Sequence, residues 1–428
     1  MSAPLRIMTG LIVLALALGV VIYLATAPEQ QPTPDDVKKD YPPIDIPSYF
    51  VEKKLTDSKQ CQECHPLIYK EWEDSHHEFA WLNPEPRRKG LSDNFKNKDC
   101  IPCHAPRPML EVGFGSRPLE RESRRDDGVN CLTCHGYQVA VVTANPLTPA
   151  ARNAPCQPVT WEPFKEMTLC APCHDQHKVH QNWLQSRFAI KGDGYKDCND
   201  CHMPVAEGPP TVGSSRKTHR SHVFGGGHDP SILRTAASMR ATVLKPGESI
   251  GEAMRRFSTR EWSGKGADKK AADGQRIVII QVENDGTGHN FPDDERHRAG
   301  DLVARFYPEE RPGGEKLRLT RFRNPYRQDF TKNPFDGKAG TVLNNDLTWD
   351  DHDLSLSQLR LAPKYNPGRK VYYPDSTQLL AGESRFVWFE VPHSGAGRIE
   401  LKLLYKLNPF MVDDDAVVVT ETEVSLEG

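Results

Sequence analysis

Cys61-Gln-Glu-Cys64-His65, Cys100-Ile-Pro-Cys103-His104, Cys131-Leu-Thr-Cys134-His135, Cys170-Ala-Pro-Cys173-His174 and Cys198-Asn-Asp-Cys201-His202 are five copies of one pattern, Cys-x-x-Cys-His. At the chain's own Cys and His frequencies, chance supplies on the order of 0.01 copies in the whole sequence. The pattern is that of c-type haem attachment. Two thiols separated by two residues reach the two vinyl groups of a porphyrin, and the adjacent His falls under the iron as proximal ligand. Zinc would favour paired Cys-x-x-Cys units or a more distant His pair, and gives no reason for a His after every second Cys. The cofactor expected is therefore five covalently bound haem c.

Ten of the 11 cysteines lie in these motifs, which leaves Cys156 without a disulfide partner. The formal charge of -3 excludes little. Five haems, each with two propionates against one ferric charge, would bring it to about -8, a surface that suits a basic redox partner. No strongly basic segment points to nucleic acid. Residues Ile7 to Ala25 are almost wholly apolar and follow Arg6. The run is long enough to cross a bilayer as a helix, with the amino terminus in the cytoplasm. The competing reading is a cleaved signal peptide ending at Ala25-Thr26-Ala27, but Pro28 would then sit at a poor first mature position. Either reading exports the body of the chain, in agreement with haem attachment outside the bacterial cytoplasm. The expected location is the inner membrane, single-pass, with the body in the periplasm.

The fold class expected is multidomain α+β. Residues 1–27 read as the anchor or signal peptide, and 28–49 as an extended, Pro-rich linker. Residues 50–235 read as a mostly helical and loop-built multihaem domain. Short helices are expected after each motif, the clearest from Pro66 to Leu82. Trp72-Glu-Asp-Ser75 after the first motif and Trp183-Leu-Gln-Ser186 after the fourth are either a partial repeat or a coincidence. Residues 236–428 read as an antiparallel β-sandwich-like domain. Its expected strands are 276–282, 301–307, 316–320, 385–391, 398–405 and 416–422, with a helix over Ile250 to Arg256 and long loops from Pro325 to Gly382.

The second axial ligand decides the chemistry, because a haem with two protein ligands carries electrons and one with an open site also binds small molecules. Eleven of 16 histidines remain for that role. One of His76 and His77, one of His177 and His180, and at least one of His219, His222 and His228 are candidates. His289 is singular, in a Gly-flanked segment, Asn284-Asp-Gly-Thr-Gly-His289-Asn-Phe-Pro292, that lets the backbone approach a flat group. Met109 and Met203 are the other available ligand type, and Met203 is too close to His202 to share its iron. His352 and His393 read as surface residues.

Cys61-x-x-Cys64-His65-Pro66 with Trp72, Ser75, His77 and Ala80 resembles the opening of multihaem cytochromes c related to the tetrahaem cytochrome of nitrifiers. That superfamily includes hydroxylamine oxidoreductase and pentahaem nitrite reductase. Gly128-Val-Asn-Cys131-x-x-Cys134-His135-Gly136 resembles a second signature. Asp197-Cys198-x-x-Cys201-His202-Met203-Pro204 with His222-Val-Phe-Gly-Gly-Gly-His228 resembles a third. Gly288-His289-Asn-Phe-Pro292 is similar to an element of the C-terminal β domain in a subset of these proteins. The resemblance implies His77, His222, His228 and His289 as distal ligands. It departs from the enzymes of the group: no Cys-x-x-Cys-Lys motif is present, and no counterpart of the Tyr cross-linked to the active haem of hydroxylamine oxidoreductase is found.

The expectation is an anchored periplasmic carrier that passes electrons through mainly bis-His haems. Its partners would be a quinol dehydrogenase, a periplasmic reductase or another cytochrome. The alternative is a reductase or oxidase of a small nitrogen or sulfur compound at one open haem, for which Arg107, Arg117 and Arg121 to Arg125 form the basic stretch.

Overall fold

A computed structural model describes residues 41–52, 55–81, 100–113, 116–166, 169–175, 178–257, 268–293, 298–309, 315–323, 341–342, 378–391, 395–407 and 411–427. The apolar run Ile7–Ala25, the linker up to residue 40, His177, His352, His393 and most of 325–382 lie outside them. Among the described residues, no helix is long and apolar enough to cross a membrane.

The amino-terminal half has few and short elements. Helix α1, Pro66–Glu73, follows the first motif. It stops well before Leu82, because the chain tightens at Ser75, whose amide donates to Trp72 O at 2.9 Å, and only a 3-10 turn, Glu78–Ala80, follows. The second helix, α2, is Val179–Leu184. Four one-turn helices fall on the motifs themselves, Ile101–His104, Cys131–His135, Ala171–His174 and Cys198–His202, and others at Met109–Val112, Pro149–Arg152 and Pro230–Leu233 lie outside them. A small sheet of β1 (Gly136–Tyr137), β2 (Ala140–Thr143) and β3 (Pro158–Thr160) follows the third motif. The β4–β5 hairpin, Val205–Glu207 with Thr218–Arg220, follows the fifth. The last linker residues pack rather than extend: Tyr41, Ile44 and Ile46 lie against Val142, Val159 and Trp161, whose indole donates to Pro42 O at 2.9 Å.

The Trp-x-x-Ser repeat is structural. Trp72 and Trp183 are both buried, and each indole donates at 2.9 Å to a backbone carbonyl just upstream of a later motif, Val129 and Lys196 respectively. Ser75 and Ser186 are buried in matching turns, each amide bonded to the carbonyl of its Trp. Each copy thus pins the approach to the third or the fifth motif.

The carboxy-terminal half is β-rich. Strands β6 (Ser238–Val243), β7 (Ile277–Glu283), β10 (Thr341–Val342) and β11 (Ser384–Glu390) form one four-stranded antiparallel sheet in the order β10-β11-β7-β6. Strands β8 (Ala299–Pro308), β9 (Glu315–Arg323), β12 (Gly397–Lys406) and β13 (Val417–Leu426) form a second in the order β13-β12-β8-β9. Val278, Ile280 and Val387 of the first sheet meet Leu302, Phe306, Leu401 and Leu403 of the second in one core, which makes a sandwich. The opposite face of β7, Ile277 and Ile279, is covered with Phe386 and Trp388 by α3 (Ile250–Met254). Both faces of β7 are therefore dry, and its sequence reads as a continuous apolar run rather than an alternation.

Asp301, Arg321 and Lys406 are fully or almost fully buried in the second sheet. Arg321 Nη2 lies 2.6 Å and Lys406 Nζ 3.0 Å from the Asp301 carboxylate, and Lys406 also bonds Asp413. Removing one member of such a group leaves desolvated charge behind, at about 3–5 kcal/mol. Asp301→Ala is expected to lose stability in that range by urea denaturation followed by circular dichroism. A loss below about 1 kcal/mol would mean that water reaches the cluster.

Candidate haem sites

Positions i, i+3 and i+4 share one face of a helical turn, so a Cys-x-x-Cys-His segment that closes one turn puts both thiols and the imidazole on one side. That turn is made here: the amide of each motif His donates to the first Cys carbonyl at 2.9 Å for His65, 3.2 Å for His104 and 3.1 Å for His174. Caps from outside the motif start two of them. Asn130 Oδ1 accepts from Thr133 N at 2.9 Å, and the Asp197 carboxylate accepts from Asn199 N at 2.9 Å.

The motifs are brought together in pairs. Ser58, fully buried, accepts from Cys131 N at 3.2 Å and donates its own amide to Asp127 at 3.2 Å, and Asp127 accepts from Asn130 at 2.8 Å. This network seats the first motif beside the third, and the Cys61 and Cys131 thiols hydrogen-bond each other. The Cys103 thiol bonds that of Cys173, and Cys170 bonds Cys198, so each of the five motifs has a thiol against one of another motif. These bonds and burial push the Cys61, Cys173 and Cys198 thiols up. Burial pushes Cys134 up to about 12. Cys156 lies near enough to Cys61 to add to its shift.

Three motif histidines face a second imidazole at one separation. Ring centres are 6.3 Å apart for His174 with His77, for His135 with His222 and for His202 with His289, with interplanar angles of 47°, 22° and 15°. Two imidazoles on opposite sides of one metal, each nitrogen about 2 Å from it, place their ring centres roughly 6 Å apart. The rings are also aimed. Nδ1 donates to a backbone carbonyl in His65 (Pro210, 2.6 Å), His104 (Ala80, 2.6 Å), His135 (Val142, 2.8 Å), His202 (Gly225, 2.5 Å) and His222 (Arg220, 2.8 Å). A carbonyl on Nδ1 fixes the tautomer that presents Nε2 as the lone-pair donor. Burial, then the neighbouring imidazole, lowers the His77 pKa to about 3 and that of His222 to about 4, so both rings are neutral, as a metal ligand requires. For His289, burial works downward, but Asp293 and the Asn290 carbonyl outweigh it and the net shift is upward.

The remaining histidines differ. His180 has a buried Nε2 with no hydrogen-bond partner. His228 stacks on His76 at 3.8 Å, too close for a metal between the rings, and Arg298 Nη2 donates to its Nε2 at 3.1 Å. Both nitrogens of His219 are engaged, by Gly208 O at 3.0 Å and Glu71 at 3.1 Å. Glu71 also accepts from the His222 amide at 2.8 Å, so it positions the neighbouring His222. Met109 is a core residue, and Met203 caps the fifth motif turn. Among the described residues, no three His, Cys, Asp or Glu side chains converge as a tetrahedral metal-ion site would need. The opposed rings and the orphaned His180 nitrogen fit a flat, two-faced iron group.

Three arginines of the basic stretch, Arg121, Arg124 and Arg125, are spent on scaffolding. Arg121 donates to the carbonyls of Pro106, Ser123, Arg124 and Gly128. Arg124 pairs with Asp57 at 2.6 Å and Arg125 with Glu120 at 3.3 Å. Several positioning residues carry no sequence signal of their own. Phe224, with φ at 51°, lies 4.2 Å from the His77 ring and 5.6 Å from that of His222, between two of the pairs. The loop bearing His289 is pinned by the fully buried Asn284, whose Nδ2 donates to His289 O at 2.8 Å, and a Cβ at Gly286 would lie 1.6 Å from Thr235 O.

Gly128 has φ +50°, and a Cβ there would sit 2.2 Å from Glu78 O and 2.4 Å from His77 O. That backbone, with ψ at -135°, is one that L-residues rarely adopt, and alone it costs about 1–3 kcal/mol. Gly128→Ala is expected to cost more than that in thermal unfolding, because the His77 segment must also move. A variant as stable as the parent would refute this close approach.

Residues 60–136, which hold the first three motifs, match the family described as cytochrome c554 and c-prime. No curated protein matches the chain. A solved structure, a penta-heme cytochrome c552 from Thermochromatium tepidum, aligns over 87% of this chain and 99% of its own with a TM-score of 0.53 and 16% identity, a likeness of fold. With the motif turns and opposed imidazoles, these two matches support a multihaem cytochrome c.

Proposed function

We propose that this chain is an inner-membrane-anchored, periplasm-facing pentahaem cytochrome c that relays electrons between redox proteins. The observation that carries the reading is the set of three opposed imidazole pairs, each with ring centres 6.3 Å apart. Haem c bound there would cycle between ferric and ferrous iron and pass single electrons to a close neighbour. The thioether cysteines are those of the five motifs, and His65, His104, His135, His174 and His202 are the proximal ligands. His77 with His174, His222 with His135 and His289 with His202 would each hold one haem iron between two imidazoles. His180 is the candidate for the second motif, because Cys103 touches Cys173 and α2 follows that fourth motif directly. His228 would have to leave Arg298 to serve as a ligand. Partners are a quinol dehydrogenase, a periplasmic reductase or another cytochrome, and the anchor is the run Ile7–Ala25.

A second reading, a reductase or oxidase of a small nitrogen or sulfur compound, is favoured by one feature. His76, His228 and Arg298 form a polar group outside the three opposed pairs. One set of measurements separates the two. The holoprotein is expected to gain the mass of five haems and to give a low-spin ferric spectrum. His77→Ala, His222→Ala and His289→Ala are each expected to turn one haem high-spin. A high-spin component in the parent that shifts with nitrite, hydroxylamine or cyanide would favour the enzyme instead. Absence of added porphyrin mass would overturn both readings.

A further inference from the structure

Five candidate ligands send Nδ1 to a neutral carbonyl, whereas His289 faces an acid. Its Nδ1 lies 2.9 Å from Asn290 O and 3.5 Å from the Asp293 carboxylate. The Asp293 side chain is 2% exposed. Its other partners are neutral amides: Asn182 Nδ2 at 2.9 Å, from α2, and Gln378 Nε2 at 3.5 Å, which also bonds Pro292 O. Among the described residues, no Lys or Arg stands within ion-pair distance of it. The carboxylate is thus held on three sides, and among the described residues no cation cancels its charge.

A buried charge acts at close range through little screening. An acid behind the outer nitrogen of an axial imidazole makes that ring a stronger donor, and the same negative charge favours ferric over ferrous iron. We infer that Asp293 lowers the reduction potential of the haem held between His202 and His289 relative to the other bis-imidazole sites. This rests on the reading of His202 and His289 as an axial pair. Asp293 is a positioning residue that acts through the imidazole. It also makes the β domain a contributor of electrostatic tuning as well as of a ligand.

The test is spectroelectrochemical titration of the haem-loaded full chain, with low-spin electron paramagnetic resonance as a second readout. In Asp293→Asn, which keeps the shape and loses the charge, one haem is expected to raise its ferrous-to-ferric ratio about tenfold at fixed potential, roughly 59 mV for a one-electron couple. The others should stay where they are. Asp293→Glu should restore most of the parent value. Asn182→Leu breaks the bridge to α2 but keeps the charge, and should leave the potential in place. Unmoved potentials in Asp293→Asn, or an equal shift in Asn182→Leu, would overturn the inference. His289→Ala separates the two levels. If it leaves every haem low-spin, the axial pair is wrong and the inference falls with it. If it turns one haem high-spin while Asp293→Asn changes nothing, the pair stands and only the tuning role is lost.

Discussion

An imidazole presents one nitrogen to a metal only when the other is held, and that requirement shapes the amino-terminal half of this chain. Each motif turn carries two thiols and a ring on one face, but the direction of the ring is set by a carbonyl from elsewhere. Pro210, Ala80, Val142 and Gly225 supply it for four of the five motif histidines. Loops with little regular structure are therefore not loosely organised. They are routed so that carbonyls fall behind rings and second imidazoles fall in front of them.

The sandwich serves the same requirement from a distance. A ligand on a loop is only as well placed as its support, and His289 follows β7, a strand buried on both faces. Asn284 fixes the end of that strand to the His289 carbonyl, and Gly286 lets the loop lie against Thr235. The two halves of the chain thus meet at His202 and His289, with Asn182 and Asp293 bonded alongside.

Much of this was legible in the sequence, for reasons that differ by element. The motifs are local, so their presence could be read directly. Strands β7, β8, β11, β12 and β13 announce themselves as apolar or alternating runs. Strand β6 does not, because Met239, Ala241 and Val243 alternate with Arg240 and Thr242 over too short a span. The long helix expected to Leu82 fails at Ser75, where a serine turn, not a glycine or proline, redirects the chain. The candidate histidines were visible as residue types, but their pairing depends on contacts between distant segments. That His219 is engaged at both nitrogens while His222, three residues on, is free to face His135 depends on Glu71, and nothing in the local sequence says so. The buried Asp301 cluster and Asp293 look like ordinary charged positions until the fold surrounds them.

The opposed histidines lie far apart along the chain, and the pairs His77 with His174 and His135 with His222 tie together segments that the thiol contacts do not join. If iron bridges each pair, every cofactor becomes a staple that closes a long loop. The entropy thereby removed from the unfolded chain grows only slowly with loop length, so long closures cost little more than short ones. Resistance to unfolding would then be distributed over the prosthetic groups, and a half able to build only small apolar clusters could remain rigid without a large core of its own.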